Sequence, residues 1–261
     1  MNHRLVRIGT MAFLFLLVST RFVSAGATPQ DVRIAVLTVI GSTPGQFNAY
    51  FKTAVQLWNA DVIPHNYRFV FHPSGTPASP SDPSANLTVP AGAVEYYADF
   101  LPAIGVPTGL GSLDVYVPSN EVNIQQGAAT VRVYNDAGTA GTTGFTEEFY
   151  DPSKAYAAGD TASFILSPNP SAFRNNVGIR TFDGGAAMTV ILRNSSGAVI
   201  KTLTKSYPAN FFQQVSIDSF VGVATLVGNE VLQMQFVSGS GITYVSTVDD
   251  TTQDPSVQIG P

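Results

Sequence analysis

The sequence predicts an all-β protein, made of two tandem antiparallel β-sandwich (Ig-like) domains related by internal duplication and preceded by a signal peptide. Three observations predict this. Gly (23) and Pro (17) are abundant while only 12% of residues are charged, the composition of a turn-rich globular chain rather than a disordered or coiled-coil one. Apolar residues recur with period two, as in Phe51, Thr53, Val55 and Leu57 and again in Phe173, Asn175, Val177 and Ile179, which is the alternation of half-buried strands. The chain also matches itself, in preserved order, at an offset of about 120 residues.

Taken from the N-terminus, Arg4 and Arg7 precede an apolar run from Met11 to Val18, and Val23-Ser24-Ala25 supplies the small residues a signal peptidase accepts. A membrane anchor is the competing reading, but Thr20 and Arg21 cut the run short of the ~20 residues that a span needs. Residues 1–25 therefore read as a secretory signal, with no membrane span after its cleavage. Export places the protein in the extracellular space, on the cell surface or in the periplasm, and with no Cys it cannot rely on disulfides there. Of 13 basic side chains, three precede residue 26, whereas all 18 acidic ones follow it, so nucleic acid and anionic lipid are poor partners.

The internal match defines domain 1 as residues 26–150 and domain 2 as residues 151–261. Phe51-Lys52-Thr53-Ala54-Val55 lies over Phe173-Arg174-Asn175-Asn176-Val177, and Ser74-Gly75 over Ser196-Gly197. Pro90-Ala91 lies over Pro208-Ala209, Leu113 to Val117 over Leu232 to Phe236, and Asn135-Asp136 over Asp249-Asp250. Strands separated by Gly, Pro, Asn and Ser at intervals of ~10 residues suggest sandwiches. Asn194 to Gly197 reads as a hairpin loop, and so does Ser238-Gly239-Ser240-Gly241 between Phe236 and Ile242. Asp99 and Asp218 each read as the cap of one short helical turn. The Pro-Ser-rich stretch Pro73 to Pro83 reads as an exposed, semi-rigid loop. For the Gly-Thr-rich Ala137 to Gly144, two readings stand: part of an interdomain boundary, or a hairpin loop.

At Phe173-Arg174-Asn175-Asn176-Val177 and at Val248-Asp249-Asp250-Thr251-Thr252-Gln253-Asp254-Pro255 the chain resembles a group of bacterial secreted tandem β-sandwich repeat proteins. In those, an F-R-T-N-hydrophobic strand opens the unit and a V-D-N-x-T-x-D-P segment closes it. The first copy departs from both motifs. The resemblance implies a β-sandwich repeat on an exported protein and carries no catalytic residue.

Side chains suited to catalysis are scarce. His65 and His72 are separated by an odd spacing across the predicted strand Tyr67 to Phe71, which puts them on opposite faces and reads as two loop-edge histidines. No Gly-x-Ser-x-Gly elbow stands between a strand and a helix, and the adjacent Glu147-Glu148 reads as a solvated linker rather than an acid and a nucleophile. Asp249, Asp250 and Asp254 are candidate calcium ligands, although Asp before Thr or Pro also suits an Asx turn. If Phe51, Thr53, Val55 and Leu57 face the core, then Lys52, Gln56 and Trp58 face outward. Trp58, the only Trp, would then form a candidate ligand-binding face with Tyr67, Tyr96 and Tyr97, and Arg180 holds its position in the second copy. The burial habit of large aromatics favours the opposite reading, in which Trp58 folds over a sheet edge.

The expectation is thus a non-catalytic secreted or cell-surface protein that binds or adheres to an extracellular protein or glycan. The rivals are a carbohydrate-binding module using the aromatics of domain 1 and a self-assembling structural subunit. The sequence calls for no cofactor, with calcium at the three aspartates as the one candidate.

Overall fold

The computed structural model describes residues 31–121, 127–223 and 226–260, so the expected signal segment, residues 1–25, lies outside the described residues. It is all-β, with two antiparallel sheets. The first holds β1 (Asp31–Pro44), β2 (Tyr50–Asn59), β3 (His65–Pro73), β4 (Ser84–Val89), β5 (Val94–Tyr97), β6 (Gly109–Pro118), β7 (Gly127–Asp136) and β8 (Thr142–Glu147). Their order is β4-β3-β6-β1-β2-β7-β8, with β5 on the other side of β2. β1 pairs with β6 from Asp31 to Ser42 and then passes to β2 at Thr43 and Pro44. That change of neighbour lets one sheet wrap round a single core of Leu37, Val55, Phe69, Phe71, Leu113 and Val131.

The second sheet begins at β9 (Tyr156–Ala157) and β10 (Thr161–Ile165) and is dominated by β11 (Phe173–Arg193) and β14 (Val231–Asp249). β12 (Val199–Tyr207), β13 (Phe212–Ser216) and β15 (Pro255–Ile259) complete it. β11 and β14 pair along their whole length, with the register slipping between Thr181↔Gly241 and Ala186↔Gly239. Ser238 to Gly241 is therefore no hairpin: it lies inside one 19-residue strand. Its glycines mark a bend, because Gly239 sits at φ +72° and a Cβ there would lie 1.9 Å from the Gly185 carbonyl oxygen. The predicted hairpin at Asn194 to Gly197 does join β11 to β12, with Asn194 Oδ1 accepting from the Ser196 and Ala198 amides. Ala137 to Gly141 likewise closes the β7–β8 hairpin, which settles the Gly-Thr stretch in favour of a loop.

The short helices form where expected, α1 at Phe100–Ala103 and α2 at Ile217–Val221, but neither aspartate caps them through its side chain. Asp99 instead accepts from the Ser42 hydroxyl at 2.8 Å, and Ser216 caps α2. Both helices drop a Phe into a core, Phe100 in the first unit and Phe220 in the second.

The two sheets are wired alike. β2 pairs with β5 and β7, as the first half of β11 pairs with β13 and the second half of β14. β3 pairs with β4 and β6, as the second half of β11 pairs with β12 and the first half of β14. β1 flanks β6 as β10 flanks the first half of β14, and β8 flanks β7 as β15 flanks the second half of β14.

The sheets also share a core. Val39 and Val133 of the first pack with Phe212 and Tyr244 of the second, flanked by Leu110, Phe145, Val257 and Ile259. The Pro73 to Pro83 stretch is an exposed loop, as expected, and it also straps this junction. The Gly75 amide donates to the Phe212 carbonyl at 2.8 Å and the Ala78 amide to the Asn210 carbonyl at 3.2 Å. Its backbone polar groups find partners on the second sheet, so it does not swing in solvent.

Candidate functional site

Two regions gather the chemically capable side chains: the junction between the sheets, and the outer face of β5-β2-β7-β8. At the junction Asp114 of β6 is the centre. Its carboxylate accepts from Arg180 Nη2 of β11 at 2.7 Å and from Arg33 Nη1 of β1 at 2.8 Å. His72 of β3 stands 3.3 Å away through Nε2, while its Nδ1 lies 2.7 Å from Asp82. Arg180 is fully buried and also donates to the Thr181 carbonyl. Burial alone would raise the Asp114 carboxyl, but the His72 hydrogen bond and the Arg180 and Arg33 charges outweigh it and hold the group well below the usual carboxylate range.

This geometry corrects the reading of the histidines. Both lie in β3 and both are buried, His65 completely, with Asp61 and Glu121 at 3.3 and 3.8 Å. The error came from ending the strand too early, since carboxylates on neighbouring segments let a histidine sit inside a strand. His72 has a carboxylate near each ring nitrogen instead of a nucleophile at one of them, which makes it part of the junction's polar network.

Glu147 is corrected in the same sense. It is buried, not solvated, and its Oε1 accepts from the Thr38 amide at 2.6 Å, the Val39 amide at 3.1 Å and the Thr38 hydroxyl. Oε2 has no partner among the described residues. Burial raises the carboxyl to about 7 against the lowering effect of those donors. Only Glu148 is exposed, as a linker residue would be.

The three calcium candidates lie at the turn between β14 and β15. Asp249 accepts from the Thr251 and Thr252 amides in a tight turn, and Asp250 pairs with Arg174 at 2.6 Å. One oxygen of each is thus engaged, Asp254 lies on the exposed side of the turn, and no group of three metal-ligating side chains converges among the described residues.

The four candidate aromatics divide. Trp58 of β2 and Tyr96 of β5 share the outer face, 47% and 60% exposed, so the expectation that Trp58 would be covered is overturned. Tyr97 points the other way, its ring edge-on to Phe100 at 5.3 Å, and Tyr67 packs at 6.3 Å from Phe69. Tyr67 meets Trp58 only at a cleft of about 210 Å³, walled by Ile34, Leu57 and Phe149, at the open end of the first core. The register extends the outer face: Trp58 sits between Val94 and Ala128, and Gln56 between Tyr96 and Thr130. Arg132 lies over the Tyr134 ring at 5.3 Å and donates to the Thr142 hydroxyl at 3.0 Å. Gln56, Tyr96, Arg132 and three threonines line a shallow groove of about 410 Å³ on this face. Sequence reasoning put Gln56 and Trp58 outward but missed Val94, Arg132 and Tyr134, because only strand register tells which residues of β5 and β7 lie beside them.

A flat sheet face with exposed indole, phenol and isopropyl groups among amides and hydroxyls offers a stacking and hydrogen-bonding surface. Farther along the same face Lys52 Nζ pairs with Asp136 at 2.7 Å. The chain matches no protein-family model, and no curated protein matches it.

Proposed function

We propose that the chain is a non-catalytic secreted or cell-surface binding protein of two β-sandwich repeats, with the outer face of β5-β2-β7-β8 as its contact surface. One observation carries this: Trp58, Val94 and Tyr96, 47%, 60% and 60% exposed, form one apolar-aromatic cluster on a regular sheet face. Isolated exposed apolar residues are ordinary, whereas a contiguous cluster with aromatics is the usual chemistry of a recognition surface. Export rests on the predicted signal segment, residues 1–25. Descent of both sheets from one repeated unit is supported by their common pairing scheme, and kinship with secreted tandem repeats rests on the two motifs in the second copy.

The single Trp makes the test direct. Trp58 emission should be red-shifted and open to iodide quenching in dilute solution, and it should shift saturably as a ligand covers the face. A panel of glycans and a titration of the protein's own concentration are the two series to run. A blue-shifted, unquenchable emission would remove the proposed contact surface.

A further inference from the structure

We infer that the contact face of the first unit docks a second copy of this chain, head to tail, on the outer face of β10-β14-β11 of the second unit. The inference rests on that face being a contact surface and names its partner.

The shared pairing scheme shows what each face corresponds to. Register places Trp58 of β2 where Arg180 stands in β11, Tyr96 where Gln214 stands, and Thr130 where Tyr244 stands. In the second unit this face is not free. Arg180, Tyr244 and Phe212 are buried against the first unit, and the Gln214 amide donates to Ser74 Oγ. The exposed face of the first unit is thus the counterpart of a face that, one repeat later, is already an interface.

The receiving side has a counterpart as well. In the first unit Arg180 lands on Asp114, which pairs with Val70 on one side and Val36 on the other. The same place in the second unit is Gln233, between Ile191 and Ser163. Met234 and Leu232 point into the core, so Gln233 and Ile191 face outward, beside Ile165 at 63% exposed. At the two matched positions the charge is gone: Trp58 replaces Arg180, and Gln233, whose Oε1 accepts from Arg193 Nε at 2.8 Å, replaces Asp114, while Arg132 stays on the first unit's face. An unpaired Arg or Asp at either free end would be costly to bury, whereas an indole against an amide and an Ile side chain is not. The substitutions match across the two ends, as complementary surfaces require.

A contact between two different patches does not close on itself by a two-fold axis, so it extends into a ring or an open filament. The purified protein should show a sedimentation coefficient that keeps rising with concentration past that of a dimer. Trp58→Asp removes the donor face and Ile191→Asp the receiving face, so each variant alone should remain a monomer with its β circular dichroism intact. Their equimolar mixture should form dimers and nothing larger, since one intact donor and one intact receiver remain, and this outcome also shows that both variants fold. The affinity of that dimer should fall at least about tenfold on adding Tyr96→Ala to the Ile191→Asp chain. A dimer that does not grow, association surviving in Trp58→Asp alone, or a mixture that stays monomeric overturns the inference. A strict monomer whose Trp58 emission shifts with a glycan overturns self-docking and leaves the contact surface standing. A strict monomer with a silent Trp58 removes both.

Discussion

At the level of single residues, the molecule holds two buried carboxylates in opposite conditions. Asp114 has cations on several sides, and its partner Arg180 has no route to water. Asp114→Ala should destabilise the protein by about 3–5 kcal/mol in urea unfolding, because it strands a buried guanidinium, whereas Asp114→Leu with Arg180→Met should restore much of the loss. Glu147 lacks a cation, and its folded pKa of about 7 stands above its usual 4.5. Between those values the unfolded chain gives up its proton first, so stability falls as pH rises from 4.5 to 7, by up to about 3 kcal/mol. Asp114 works in the other direction and lower down: its depressed pKa adds stability above the usual carboxylate range, which is lost as pH falls through it. The urea midpoint should therefore be higher near pH 5 than near pH 8, and Glu147→Gln should flatten that difference. An unchanged slope in Glu147→Gln would detach the effect from this residue.

At the level of elements, the bend shared by β11 and β14 sets the shape of the second unit. A side chain at position 239 would meet the Gly185 carbonyl at 1.9 Å and would also have to hold φ at +72°. Gly239→Val should cost more than about 2 kcal/mol, read as a lower thermal midpoint, while the same change at the exposed turn residue Gly197 should cost less. A hairpin at Ser238 to Gly241 was the natural reading, since Gly-Ser clusters mark turns and bulges alike and only the partner strand distinguishes them. Strand alternation was legible wherever one face is wet and one dry, as at Phe51 to Leu57. It failed at His72, Glu147 and Arg180, whose polar side chains point into protein because a second sheet lies over them. The outward setting of Trp58 was readable from parity, but its neighbours Val94 and Ala128 come from strands roughly 35 and 70 residues away, and no local pattern encodes that pairing.

At the level of the whole molecule, the second sheet serves as the lid of the first. Val39, Val133, Leu110 and Phe145 would face water without Phe212 and Tyr244, and Glu147 would lose its cover. The full chain should therefore melt in a single calorimetric transition, and a fragment ending at residue 150 should bind a hydrophobic dye and unfold without cooperativity. Two resolved transitions would mean that the halves are thermodynamically separate. β1 adds a mechanical consequence. It lies between β6 and β2, with register running from Asp31↔Pro118 to Ser42↔Gly109 before the handover at Thr43. Tension drawn along the strand from Asp31 must slide that whole ladder at once instead of peeling it bond by bond, so the end of the described chain nearest the predicted signal segment is anchored to resist stretching.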